Sequence, residues 1–137
     1  MKIFLDDERV PVKDGWFVVR DFFSFLEALK AGGELITEIS FDHDLGWDKD
    51  RPKRSGKDCV NALIDLVLDH PDFLRGIERV WFHSANVEGA DDMRKTLKNA
   101  MEHGVIHEFE LITYSCLFHS DHAVMPRNFN HEQRDDQ

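Results

Sequence analysis

The chain has 137 residues, the size of one ordinary domain, and its 42% hydrophobic share with 11 Phe is enough for a packed core, which argues against two domains. Counting 27 acidic against 17 basic side chains gives a formal charge of -10, so a polyanion would meet a repulsive average field and extended duplex binding is not expected. No apolar run approaches membrane-spanning length, and the start, Met1-Lys-Ile-Phe-Leu-Asp-Asp, turns acidic too early for a signal-peptide core; a cytoplasmic location and no membrane partner are expected.

In chain order, Lys2 to Leu5 is a short apolar run that stops at Asp6-Asp7-Glu8, and Trp16 to Val19 is a second one after the turn-rich stretch Pro11 to Gly15. Both read as buried strands. Phe22, Phe25, Leu26 and Leu29 recur at helical spacing, and Gly32-Gly33 supplies a terminator. Ile36 to Phe41 is strand-like and ends at Asp42-His43-Asp44-Leu45-Gly46; Trp47 to Gly56, charged and holding Pro52, reads as a loop. Ser55-Gly-Lys-Asp58 is a capping box, and Val60, Leu63, Ile64, Val67 and Leu68 follow the i, i+3, i+4, i+7, i+8 rule for a helix that must end before Pro71. Val80 to Phe82 is a strand running out at His83-Ser84-Ala85-Asn86. A helix spans about Ala90 to His103, with Gly104 closing it, and a last strand falls within Phe109 to Tyr114. Residues 1–127 form one domain; 128–137 are a polar tail expected to fray.

Strands alternating with helices imply an α/β fold with a mainly parallel sheet covered on both faces, in which ligands sit beyond the carboxyl ends of the strands. Only about ten residues link the first two strands, too few for the usual crossover helix. That helix is absent, or replaced by an extended loop.

Three strand ends carry polar clusters: Asp6-Asp7 with Glu8 and Arg9, Asp42-His43-Asp44, and His83-Ser84 with Asn86. Carboxylates brought together there would repel and rise in pKa unless a cation neutralises them, and hard oxygen ligands suit Mg2+ or Mn2+. His83 fits a general acid or base, or a hydrogen-bond donor to a phosphoryl oxygen. Ser84 and Asn86 add neutral donors, and Gly89 allows close approach near a helix start that favours an anion. Lys49, Arg51, Lys53, Arg54 and Lys57 form a local positive patch, either a solvated loop or a clamp on a phosphate. His119 and His122 are the nearest histidine pair, but no zinc-binding spacing is present. Cys59 and Cys116 make no CxxC pair and are read as reduced thiols without a catalytic role.

The segments Ile3-Phe-Leu-Asp-Asp-Glu-Arg-Val-Pro11, Ile39-Ser-Phe-Asp-His-Asp-Leu-Gly46, Gly56-Lys-Asp58 and His83-Ser-Ala-Asn86, with Gly89 and Met93, resemble the cyclic-phosphate processing receiver domain family over roughly residues 1 to 100. That family is similar to the phosphoacceptor receiver domains of two-component signalling. The resemblance implies a receiver-like (flavodoxin-like) three-layer fold with a five-stranded, mainly parallel sheet, and metal ligands at Asp6, Asp7 and Asp42, with Asp44 beside them. It further implies sensing or hydrolysis of a cyclic phosphate on a nucleotide or RNA end. Ordinary receivers read phosphorylation with a lysine after the fifth strand; Tyr114-Ser-Cys-Leu117 has none, which argues against a phosphorelay role.

Two functions compete. In the first, Mg2+ polarises a cyclic phosphodiester, His83 handles a proton, Arg9 and Asn86 steady the phosphoryl oxygens, and either water or Asp42 attacks. In the second, the same pocket binds a cyclic nucleotide without turnover.

Overall fold

In a computed structural model of the chain, which describes residues 1–11, 13–113 and 124–126, the first apolar run becomes strand β1 (Lys2–Leu5), followed by a short β2 (Arg9–Pro11) and by β3 (Trp16–Val19). Helix α1 (Phe22–Gly32) starts where the Asp21 carboxylate accepts the Ser24 N–H, and it runs through a 3-10 turn into β4 (Glu38–Phe41). Strands β5 (Trp47–Asp48) and β6 (Arg51–Pro52) precede α2 (Gly56–Asp69), which carries the expected Ser55–Asp58 capping box. Then come β7 (Arg79–Phe82), α3 (Val87–Glu102), β8 (Glu110–Thr113) and β9 (Val124–Pro126).

Five of these strands form one parallel sheet in the order β3-β1-β4-β7-β8, the receiver-like α/β arrangement. The β1–β3 link contains no helix. It holds β2, which pairs antiparallel with β9 in a separate two-stranded ribbon.

The two faces of the sheet differ in chemistry. Ile3, Leu5, Ile39, Phe41, Val80 and Phe82 share one face, and α1, α2 and α3 pack side by side against it through Phe25, Leu29, Val60, Leu63, Met93 and Leu97. Each of these strand residues removes an apolar side chain from water, about 1.5–3 kcal/mol apiece, which makes this face the core. On the other face Glu38 lies 3.5 Å from Lys2 Nζ and 3.2 Å from Arg79 Nη1, and accepts the Trp81 indole N–H at 2.8 Å. Arg79 continues to Glu110 at 3.1 Å, so charges alternate across β1, β4, β7 and β8. Among the described residues no helix covers this face.

Two segments depart from expectation. The stretch from Trp47 to Gly56 contains the β5–β6 hairpin: Gly46 at φ 93° turns the chain, Lys49 takes φ 59° at the tip, and Lys53 N–H donates to the Gly46 carbonyl at 2.9 Å. Strands of two residues are too short to show an alternation, and Pro52 is tolerated because β6 pairs on one side only. Helix α3 begins at Val87, before the apolar stripe does, because the Asn86 side chain accepts the Gly89 N–H at 2.9 Å and so sets the start. No described helix is long and apolar enough to cross a membrane. Tyr114 to Leu117, Cys116, His119, His122 and the 128–137 tail lie outside the described residues.

Candidate functional site

Leu5, Phe41 and Phe82 stand in register on adjacent strands, and the ladder continues one step further: Asp42 N–H donates to Leu5 O and His83 N–H to Phe41 O, both at 3.0 Å. Parallel pairing therefore sets Asp6, Asp42 and His83 side by side at the carboxyl edge. Each offers a ligand atom, and the three atoms lie within 4.8 Å of one another.

Asp6 is fully buried and heavily bonded. One carboxylate oxygen accepts the backbone N–H groups of Glu8 (2.9 Å) and Arg9 (2.7 Å); the other accepts Arg9 Nε (2.9 Å) and His83 Nε2 (3.0 Å). Burial works against its charge, but the His83 hydrogen bond and the Arg9 amide and guanidinium outweigh it and bring the carboxyl down to about 2. His83 is equally enclosed, stacked on Phe4 with ring centroids 4.3 Å apart. Since a carboxylate only accepts, His83 Nε2 carries the proton toward Asp6, and Nδ1 accepts from the Ser40 hydroxyl at 2.7 Å. Burial lowers the His83 pKa, which keeps the ring neutral.

Asp42 contrasts with Asp6. It accepts His43 N–H at 2.9 Å, and Arg9 Nη2 reaches it at 3.3 Å, yet burial and the neighbouring Asp6 charge push its carboxyl up to about 7. The Arg9 guanidinium thus bridges both acids. The turn that carries Arg9 is braced in its backbone, because Arg20 Nη1 donates to the main-chain carbonyls of Arg9 (2.7 Å) and Asp6 (3.2 Å). Asp7 lies on the cleft wall, its pKa raised by burial and by the charges of Asp6 and Glu8.

Two glycines permit this packing. A Cβ on Gly56 would stand 1.9 Å from the Asp42 carbonyl oxygen, and one on Gly89 would stand 2.5 Å from the His43 ring.

Above the acids opens a cleft of about 1270 Å³, beyond the ~300–1,000 Å³ usual for a small-molecule pocket. Of the residues expected to hold phosphate, Arg9, Arg51, Lys53, Arg54, Ser84 and Asn86 line it. Ser84 hydrogen-bonds Asp42 and also accepts Asn86 N–H at 3.0 Å. Lys49 sits at the hairpin tip and Lys57 pairs with Asp92 at 2.7 Å across α2 and α3, so neither is part of the lining. Of the expected metal ligands, Asp6 and Asp42 converge, Asp7 adjoins them, and Asp44 is exposed, hydrogen-bonded to His43 (2.8 Å) and Asn86 Nδ2 (3.3 Å). The carboxyls of Asp42 and Asp7, both raised by burial and by neighbouring carboxylates, have the donor chemistry of a Mg2+ or Mn2+ site. The oxygens of Asp6 are already taken by N–H donors.

Sequence reasoning passed over four residues here: Arg20, Ser40, Phe23 and Trp47. Arg20 directly follows β3 and Ser40 is the polar residue between Ile39 and Phe41, so strand-end position and the alternation that puts Ser40 on the face opposite the core are the available signals. Phe23 and Trp47 line the cleft but carry no motif.

Among known proteins, the family model for the cyclic-phosphate processing receiver domain matches residues 1–99. No curated protein and no solved structure matches the chain.

Proposed function

Since the chain belongs to the cyclic-phosphate processing receiver domain family, we propose that its cleft takes the cyclic phosphate of a nucleotide or an RNA end and opens it by metal-dependent hydrolysis, as in RNA-end repair or nucleotide-signal turnover. The observation that carries this reading is a pair of buried carboxylates sharing one cation beneath a cleft whose wall bears Arg51, Lys53 and Arg54. Acids below and cations above suit a phosphate held against a metal. Asp42 and Asp7, with Asp6 next to them, would hold Mg2+ or Mn2+. When bound, that ion supplies Lewis-acid polarisation of the phosphoryl group.

The chain's own groups divide the remaining work. Arg51, Lys53 and Arg54 draw the anion in, and Arg9 and Ser84 orient it over Asp42. Asp42 and Asp7, unlike Asp6, belong to the lining of the cleft. His83, with both ring nitrogens engaged beneath the strand ends, fixes Asp6 and acts through it as a positioning residue.

Binding without turnover is the second reading, favoured by Arg9, whose guanidinium already neutralises the two acids. Phosphorus NMR on the protein with Mg2+ and 2',3'-cyclic nucleotides separates the two. Hydrolysis predicts growth of phosphomonoester resonances that EDTA or Asp42→Asn abolishes. Saturable binding with no new resonance would establish the sensor instead, and absence of both turnover and binding would sink either reading.

A further inference from the structure

Two aromatic side chains at the mouth of the cleft are unusually open: Trp47 of β5 is 68% exposed and Phe23 in the first turn of α1 is 67% exposed, while both line the cleft. Leaving rings of this size in water forgoes about 1.5–3 kcal/mol of burial each, so aromatic groups gathered at one opening mark a recognition surface. They are grouped with charge. The Arg54 guanidinium lies 4.4 Å from the Phe22 ring centroid and 5.7 Å from that of Phe23, and the two phenyl rings meet edge to face at 5.3 Å. Arg51 and Lys53 line the same opening.

We propose that Trp47 and Phe23 form a base-stacking subsite, so that the ligand is a phosphate carrying a nucleobase and not a bare sugar phosphate. The proposal rests on the cyclic-phosphate reading of the cleft and adds what lies on the other side of the phosphate. A flat π-system next to an anion is the ligand that uses both components of the rim: the base stacks on an aromatic face while Arg51, Lys53 and Arg54 meet the phosphate. A sugar alone offers no aromatic face, and a lipid would need a continuous apolar area where this cleft is lined by rings together with Arg51, Lys53 and Arg54. The acidic floor and net negative charge disfavour a long polyanion, which limits the ligand to a mononucleotide or a chain end. Stacking accepts any base, so the subsite reads the presence of a base more than its identity.

Tryptophan fluorescence tests this on the full chain. Trp16 and Trp81 are half-buried, whereas Trp47 stands open at the cleft, so a stacked base should quench Trp47 emission. Titration with 2',3'-cyclic AMP should quench, and the same cyclic phosphate on a ribose without a base should bind about five- to a hundredfold more weakly. Trp47→Ala should bring the two ligands to similar affinity, and Trp47→Phe should restore most of the difference. Equal affinity of both ligands for the unaltered chain, or a Trp47→Ala, Phe23→Ala variant that binds cyclic AMP normally, would overturn the subsite and leave the cyclic-phosphate reading standing. Failure of both ligands to bind would remove the subsite and the cyclic-phosphate reading together. Emission that changes with protein concentration alone would assign the rim to contact between copies of the chain, and the base proposal would fall.

Discussion

The floor and the rim of the cleft are built on opposite principles. On the floor, Asp6 is enclosed, each oxygen takes more than one donor, and the groups that hold it are themselves held, His83 by Ser40 and Phe4, Arg9 by Arg20. At the rim, Trp47, Phe23 and Arg51 stand in solvent on a two-residue hairpin and a helix start. Preorganised charge belongs where a reacting group must be met without rearrangement, and open rings and cations belong where a ligand must first be captured. The difference teaches that stability and recognition are carried here by separate residues, and substitutions should tell them apart.

The largest effect is expected at the floor. Asp6→Ala leaves the buried His83 Nε2–H without its acceptor and takes from the half-buried Arg9 one of its two carboxylate partners, and removing one partner of a buried charged pair typically costs about 3–5 kcal/mol. Urea denaturation should report a loss of that order. A loss below about 1 kcal/mol would show that the floor is not the rigid element.

Next comes a pH effect at Asp42. Burial and the Asp6 charge push its folded carboxyl up to about 7, against 3.8 for an ordinary aspartate, so between these values the folded state binds more protons than the unfolded one. Stability from this group is therefore complete below about pH 4 and is lost as pH rises through about 7. Asp6, lowered to about 2, has the opposite sign, contributing above its unfolded value and losing that contribution as pH falls toward 2. His83 also opposes Asp42, because its depressed pKa favours the folded state above 6.5 and less so below. The difference between the chain and Asp42→Asn isolates Asp42: without divalent ions, the variant should gain relative stability, on the order of a few kcal/mol, from pH 5 to pH 8. Parallel stability curves for the two proteins would contradict this account.

The smallest effect sharpens the contrast among cations. Lys57→Ala removes an exposed pair with Asp92, worth about 0–1 kcal/mol, and should leave cyclic-nucleotide affinity unchanged. Arg54→Ala should weaken that affinity severalfold at similar stability. Equal loss of binding in both variants would mean that the cations act through their overall field and not from the cleft wall.

How much of this could be read before the structure differs between elements for physical reasons. The periods of α1 and α2, the capping box at Ser55 and the polar stops after Leu5, Phe41 and Phe82 are local signals, and together they located the sheet edge and the acids on it. What a local signal lacks is direction. His83 has the same parity as Trp81, on the face away from the helices, so its ring lies beneath the edge against Phe4, and nothing in His-Ser-Ala-Asn states that. Lys57 and Arg54 look alike in a charged run, but the turn of α2 aims Lys57 at α3 and leaves Arg54 at the cleft. The hairpin was hidden because two-residue strands have no period to detect.

The contact between position 56 and the Asp42 carbonyl has a consequence for how such a site can vary and be found. The site is defined by a missing atom as much as by its acids: with a Cβ only 1.9 Å from that oxygen, the turn that presents Asp42 and the start of α2 cannot both keep their places. A protein with every aspartate retained but a side chain at this position would have the ingredients without the arrangement. Comparisons that score only charged and polar positions would mistake it for an equivalent, whereas the glycine separates sequences able to build the pocket from those that merely spell it.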